Sequence, residues 1–161
     1  MLPQDFHALL TSLELSATVI EDYFKMVPPE AVDVKRGEDC WTLKKHLFHL
    51  VKVQEISYNR ILLFKNEESP VVKPYFPQKD EIDALESKSI SEGTRLFKEW
   101  RTRQLELLNQ MDDSHVGREG SHDEFTQYNL RIVLNHILFH DYWHMYRIEE
   151  LWLTKDSYFN G

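Results

Sequence analysis

The chain has 161 residues and 19.3 kDa, with 19 Lys and Arg against 27 Asp and Glu, a formal charge of −8. That acid excess excludes nucleic acid and anionic membrane surfaces as partners, because both need a basic face. No apolar run reaches the roughly 18 residues of a membrane span. The lone Cys40 excludes an internal disulfide framework. The N-terminus MLPQDFHALL has no basic region ahead of a long apolar core. A cytoplasmic protein follows as the expectation, built as one domain over residues 1–161.

The first helix is expected over about 4–26, where Phe6, Leu9, Leu10, Leu13, Ala17, Ile20 and Phe24 recur at steps of three and four. Pro28 and Pro29 stop it, and His7, near its start, is expected to be exposed. Residues 30–40 form a connector. No basic or histidine neighbour in sequence activates Cys40, which reads as a small residue packed beside Trp41. A second helix runs from an N-cap at Thr42 to about residue 65. On one broad face it carries His46, His49, Val53, Ile56, Arg60 and Phe64, and spacing alone does not choose between the two histidines.

Residues 66–80 hold three prolines and no helical period, and read as a long crossover loop or lid. Tyr75 and Phe76 within it are expected to pack over a bundle end. A third helix is expected over about 81–111, opening with a turn at 81–88 before the main run, with a weak cap at Ser91 and a stripe of Leu96, Trp100, Leu105, Leu108 and Met111. Residues 112–129 read as a polar turn region with a short hairpin around Gly117 to Gly120. His115 and His122 in it are expected to be solvent-exposed.

The fourth helix, about 129–153, contains HILFHDYWHMYRIEEL and sets His136, His140 and His144 at spacings of four. Each step of four rises about 6 Å, so neighbours in this series can chelate one ion, whereas the outer two lie roughly 12 Å apart and cannot. At about 100° per residue, Val133, Ile137, Ile148 and Leu151 share a narrow wedge. His140 and His144 lie inside it or at its edge, and His136 lies on the far rim beside Trp143 and Arg147. An i, i+4 pair of neutral imidazoles is a common helical chelate for Zn, Ni, Cu or Fe. Asp141 follows His140 where the zincin protease motif has Glu, which excludes that class. Four helices with two long connections predict an all-α four-helix bundle with long crossover loops.

Three features together resemble the DinB-like (YfiT-like) family of bacterial metal-binding four-helix bundles. Trp41-Thr42 is followed by His49 eight positions after the Trp, His140 and His144 form the terminal pair, and EFTQYNLRIVLNHILFHDYWH resembles the family's passage into its last helix. The resemblance spans essentially the whole chain and implies His49, His140 and His144 as three metal ligands, choosing His49 over His46. Three histidines with a position left for water or substrate are the pattern of a catalytic metal site. The implied ion is Zn or Ni by ligand type, with Fe or Mn also compatible. Many relatives carry Gln three residues after the last ligand, where this chain has Arg147.

The family includes enzymes that activate a low-molecular-weight thiol and transfer it to an electrophile. The resemblance therefore implies a thiol S-transferase-type activity, with no side chain yet assigned as general base. Metal-dependent hydrolysis is the runner-up, and a non-catalytic metal- or ligand-binding bundle linked to stress is the reading from another class. Relatives are commonly homodimers, and Trp143, Trp152, Tyr158 and Phe159 are the aromatics expected to be exposed for such packing.

Overall fold

In the computed structural model, residues 2–76 and 87–159 are described. Four long helices form the bundle: α1 His7–Met26, α2 Leu43–Asn66, α3 Ile90–Leu108 and α4 Leu130–Leu153. The limits of each follow from local chemistry. Val27 is extended ahead of Pro28, which ends α1, because the residue before a proline is pushed out of the helical region. The Thr42 hydroxyl accepts the Lys45 N–H at 3.0 Å and starts α2 as expected. For α3 the expected cap at Ser91 is corrected to Ser89. Its side chain accepts the Glu92 N–H, and Glu92 accepts the Ser89 N–H in return. This Ser-x-x-Glu box was legible two residues upstream of the serine considered. The third helix therefore starts at Ile90 and ends at Leu108, inside the expected 81–111. Residues 77–86, and with them most of the expected turn at 81–88, lie outside the described residues.

Helices α1 and α2 each pack against both α3 and α4. The connection over residues 27–42 thus crosses the bundle from one corner to the opposite one. The side chains between the helices fall into two apolar clusters. One includes Phe6, Leu13, Ile61, Phe64, Leu108 and Val133, and the other includes Ala17, Phe24, Leu47, Val51, Phe97 and Ile148. Along every helix a buried polar residue falls between the two: Ser16 on α1, Gln54 on α2, Arg101 and Gln104 on α3, and Asp141 on α4. This polar layer crosses the middle of the core.

A small sheet covers one end of the α2–α4 groove, where the sequence suggested only a hairpin around Gly117 to Gly120. The hairpin is formed by β2 Glu119–His122 and β3 Phe125–Asn129, and β1 Val71–Val72 from the crossover loop pairs in parallel with β2. Arg118 anchors it by donating to the Phe64, Lys65 and Glu67 carbonyls at 2.8, 2.7 and 3.1 Å, satisfying groups that the end of α2 leaves open. Gly120 is needed for this docking. A Cβ there would lie 2.8 Å from Phe64 Cζ and 2.9 Å from the Pro70 carbonyl oxygen. Gly120→Val is expected to lower stability by about 1–3 kcal/mol through overpacking, and an unchanged urea midpoint would refute the tight fit. Asn129 then caps α4 by accepting the Ile132 N–H at 3.1 Å.

No helix among the described residues is long and apolar enough to cross a membrane.

Candidate metal centre

Because α2 and α4 are neighbours, the inward histidines of each meet across their groove. The nearest ring nitrogens of His49, His140 and His144 all lie within 4.8 Å of one another. His49 Nε2 and His140 Nε2 are 3.3 Å apart. Two nitrogens bonded tetrahedrally to one ion at about 2.0–2.1 Å stand about 3.3–3.4 Å apart, so this pair already has the spacing of a tetrahedral edge. Among the described residues, no carboxylate joins this group. Three neutral imidazoles therefore converge with no carboxylate beside them among the described residues, and this donor set fits a metal ion.

His46, which spacing alone left level with His49, has a different place. Its Nδ1 lies 2.7 Å from His144 Nδ1, so one ring donates its Nδ1–H to the other. The contact engages Nδ1 of His144 and leaves Nε2 as its nitrogen for the cluster. Trp41 stacks on His144 with centroids 6.0 Å apart and planes 15° apart, and also touches His46 and His49. The edge of Trp143 meets His144 at 4.7 Å. These aromatic rings pack against the cluster on one side.

Burial governs the protonation of all four rings. It pushes His46, His49 and His140 down to about 4 from the ordinary 6.5, and His144 to about 2, with repulsion among neighbouring cations adding to the effect at every ring except His49. The imidazoles are thus neutral and ready to ligate at pH 7. A group depressed in the folded state stabilises the fold above its unfolded pKa and loses that contribution as pH falls toward its folded value. Asp141 opposes this, since burial raises its carboxyl to about 6, but it is one group against four. Net, the metal-free protein is expected to lose thermal stability steadily from about pH 6.5 to pH 4. A melting temperature that is flat across that interval would contradict the buried neutral cluster.

Asp141 is the residue whose role its sequence position concealed. Sequence reasoning used it only to exclude a protease motif, yet it is fully buried in the centre of the polar layer. Arg101 Nη2 donates to its Oδ2 at 2.5 Å, Ser16 Oγ donates to Oδ2 at 3.2 Å, and Gln54 Nε2 donates to Oδ1 at 2.9 Å. Gln104 in turn donates to Gln54 at 2.8 and 3.0 Å. All four helices are tied at the level of the histidines. The available signal was a carboxylate within the apolar stripe, four residues after Ile137 and three before His144.

Two cavities meet at the cluster. The larger, about 690 Å³, is walled by His49, His140 and His144 together with Trp41, Trp143 and Arg147. Arg147 forms an ion pair with Glu150. The smaller, about 230 Å³, touches only His49 and His140 of the cluster and extends beneath the hairpin. His136 is exposed, as its place on the helix rim implied, and lines this smaller cavity. His122, expected in solvent, is corrected to a buried strand residue packed on Phe125 and Tyr128 that also lines it. His115 is held by Asp112 at 2.8 Å in the helical turn Asp113–Val116. His7 is exposed. Cys40 is buried on the wall of the larger cavity. Tyr75 lines the smaller one, and Phe76 is exposed.

The comparisons with known proteins agree with this architecture. YfiT from Bacillus subtilis, described as a probable metal-dependent hydrolase with an unusual four-helix bundle topology, superposes with a TM-score of 0.78 at 22% identity, over 94% of this chain and 88% of its own. A DinB-like protein of the same organism, YjoA, superposes with a TM-score of 0.56 at 14% identity, over 92% of this chain and 95% of its own. No curated protein sequence matches the chain. The sequence model of the DinB superfamily matches residues 12–148. With its four-helix topology and its histidines gathered between α2 and α4, the chain belongs to the DinB superfamily.

Proposed function

We propose that this protein is a metal-dependent enzyme in which His49, His140 and His144 hold one Zn or Ni ion and a low-molecular-weight thiol is transferred to an electrophile. The observation that carries the reading is the convergence of three neutral imidazoles on the wall of the larger cavity, with His49 and His140 also facing the smaller one. Three histidines are a catalytic ligand set, which keeps a position for solvent or substrate. A bound divalent ion supplies Lewis acidity there, lowering the pKa of a thiol or a water presented to it.

The chain's own residues favour the thiol. Two cavities suit two reactants, and a thiolate is already a nucleophile without a further base. Hydrolysis is the second reading, supported by the description of YfiT. A metal-bound hydroxide would serve it with the same three ligands. Trp41 and Trp143 pack on His144, and His46 orients it through its Nδ1.

The test is metal content by plasma mass spectrometry beside two assays on the loaded protein: consumption of a thiol with 1-chloro-2,4-dinitrobenzene, and hydrolysis of p-nitrophenyl acetate. About one equivalent of metal, absent from His140→Ala, with thiol consumption that depends on it, is the expected result. Turnover of the ester alone would select hydrolysis, and an empty wild type after incubation with Zn and Ni would defeat the enzyme reading.

We further propose a cytoplasmic homodimer. Phe139, Tyr142, Trp143 and Tyr146 expose one aromatic face of α4, which supports helix-to-helix packing of two copies. Of the other aromatics expected outside, Tyr158 is exposed, whereas Trp152 and Phe159 are half-buried against the core.

A further inference from the structure

We infer that the smaller cavity is a binding site for a small carboxylate with an apolar body, held by Arg60 and delivered to the His49–His140 edge of the cluster. The walls carry the apolar half of this inference: Val53, Ile56, Val133 and Ile137 line the space next to His49 and His140. A cavity of about 230 Å³ takes a molecule of the size of a substituted benzene ring or a short branched acid.

Arg60 carries the charged half. Its guanidinium lines the cavity, and its hydrogen bonds are two long ones, to the Tyr128 hydroxyl oxygen at 3.5 Å and the Lys73 carbonyl at 3.4 Å. No carboxylate among the described residues forms an ion pair with it. A guanidinium offers five N–H donors in a fork that matches a carboxylate, so most of this one's capacity is unused. The neighbouring His122 adds a donor rather than a competing acceptor. His122 Nδ1 accepts the Glu124 N–H at 3.2 Å, which puts the ring proton on Nε2. Glu124 also lines the cavity, but it is solvent-exposed. Water screens its charge there.

The inference deepens the proposed function by naming the class of one reactant, and only that consequence rests on the metal-enzyme reading. Binding at Arg60 is tested on metal-free protein, so the two fail separately. Benzoate and its neutral isostere benzamide would be titrated into chelator-treated wild type, Arg60→Gln and Arg60→Lys, followed by calorimetry and by NMR shifts of Val and Ile methyls. Circular dichroism would establish that each variant is folded.

Benzoate is expected to bind at least about tenfold more tightly than benzamide to the wild type, the scale of one charge-assisted pair. That preference is expected to vanish in Arg60→Gln and to survive in part in Arg60→Lys, which keeps the charge and loses the fork. Absent or equal binding of the two probes to the wild type would overturn the inference. So would a benzoate preference that persists in Arg60→Gln, or methyl shifts confined to residues away from Val53, Ile56, Val133 and Ile137.

Discussion

Arg101→Met is expected to destabilise the fold by about 3–5 kcal/mol, the cost of leaving a buried charge without its partner. Asp141 is fully buried and Arg101 nearly so, and the two lie at the centre of a polar layer to which every helix of the bundle contributes. Removing the guanidinium strands the carboxylate between two apolar clusters, where its remaining donors are the neutral Ser16 and Gln54 groups. The double variant Arg101→Met with Asp141→Leu is expected to recover most of the loss, because replacing both members of a buried pair by apolar residues is often neutral. Urea unfolding of the single and double variants decides the matter. Equal stability of Arg101→Met and wild type would show that the pair contributes nothing.

The second large effect concerns metal. On the proposed ligand set, wild-type protein at a free metal concentration of 1,000 times Kd gains about 4.1 kcal/mol of stability. That corresponds to roughly 8–16 °C in melting temperature for a domain of this size. His144→Ala is expected to abolish the gain. His46→Leu should retain binding but weaken it by about 10–100-fold, since His46 only fixes the orientation and tautomer of His144 through the 2.7 Å Nδ1 contact. The two variants thus separate a ligand from the residue that orients it. Identical thermal shifts in His46→Leu and His144→Ala would instead place both rings on the ion, and no shift in the wild type would remove the metal altogether.

Much of the architecture was legible because helices advertise themselves through period and punctuation. Phe6 to Phe24 mark α1, Pro28 ends it, and Thr42 starts α2. The inward turn of His140 and His144 relative to His136 followed from the angular step of a helix, and the burial of His144 and exposure of His136 agree with it. Other features left no such trace. Val71–Val72 is too short to show a two-residue period, and its partner Ser121–His122 lies fifty residues away, so the sheet arises only from docking. His122 read as a loop residue because the strand that buries it exists only against Phe125 and Tyr128.

The sequence by itself determined the helices and the inward histidines of α2 and α4, since both depend on interactions within a few residues. It could not rank His46 against His49 without a family pattern, because one turn of helix separates them and both face inward. The crossing of α4 gives the two different places: it brings His49 Nε2 to 3.3 Å from His140 and sets His46 within 2.7 Å of His144 Nδ1. The same holds for Asp141, whose burial is tolerable only because α1, α2 and α3 each present a donor at its level. Pairings between residues some forty to 125 positions apart are set by how helices pack, and no local pattern encodes them.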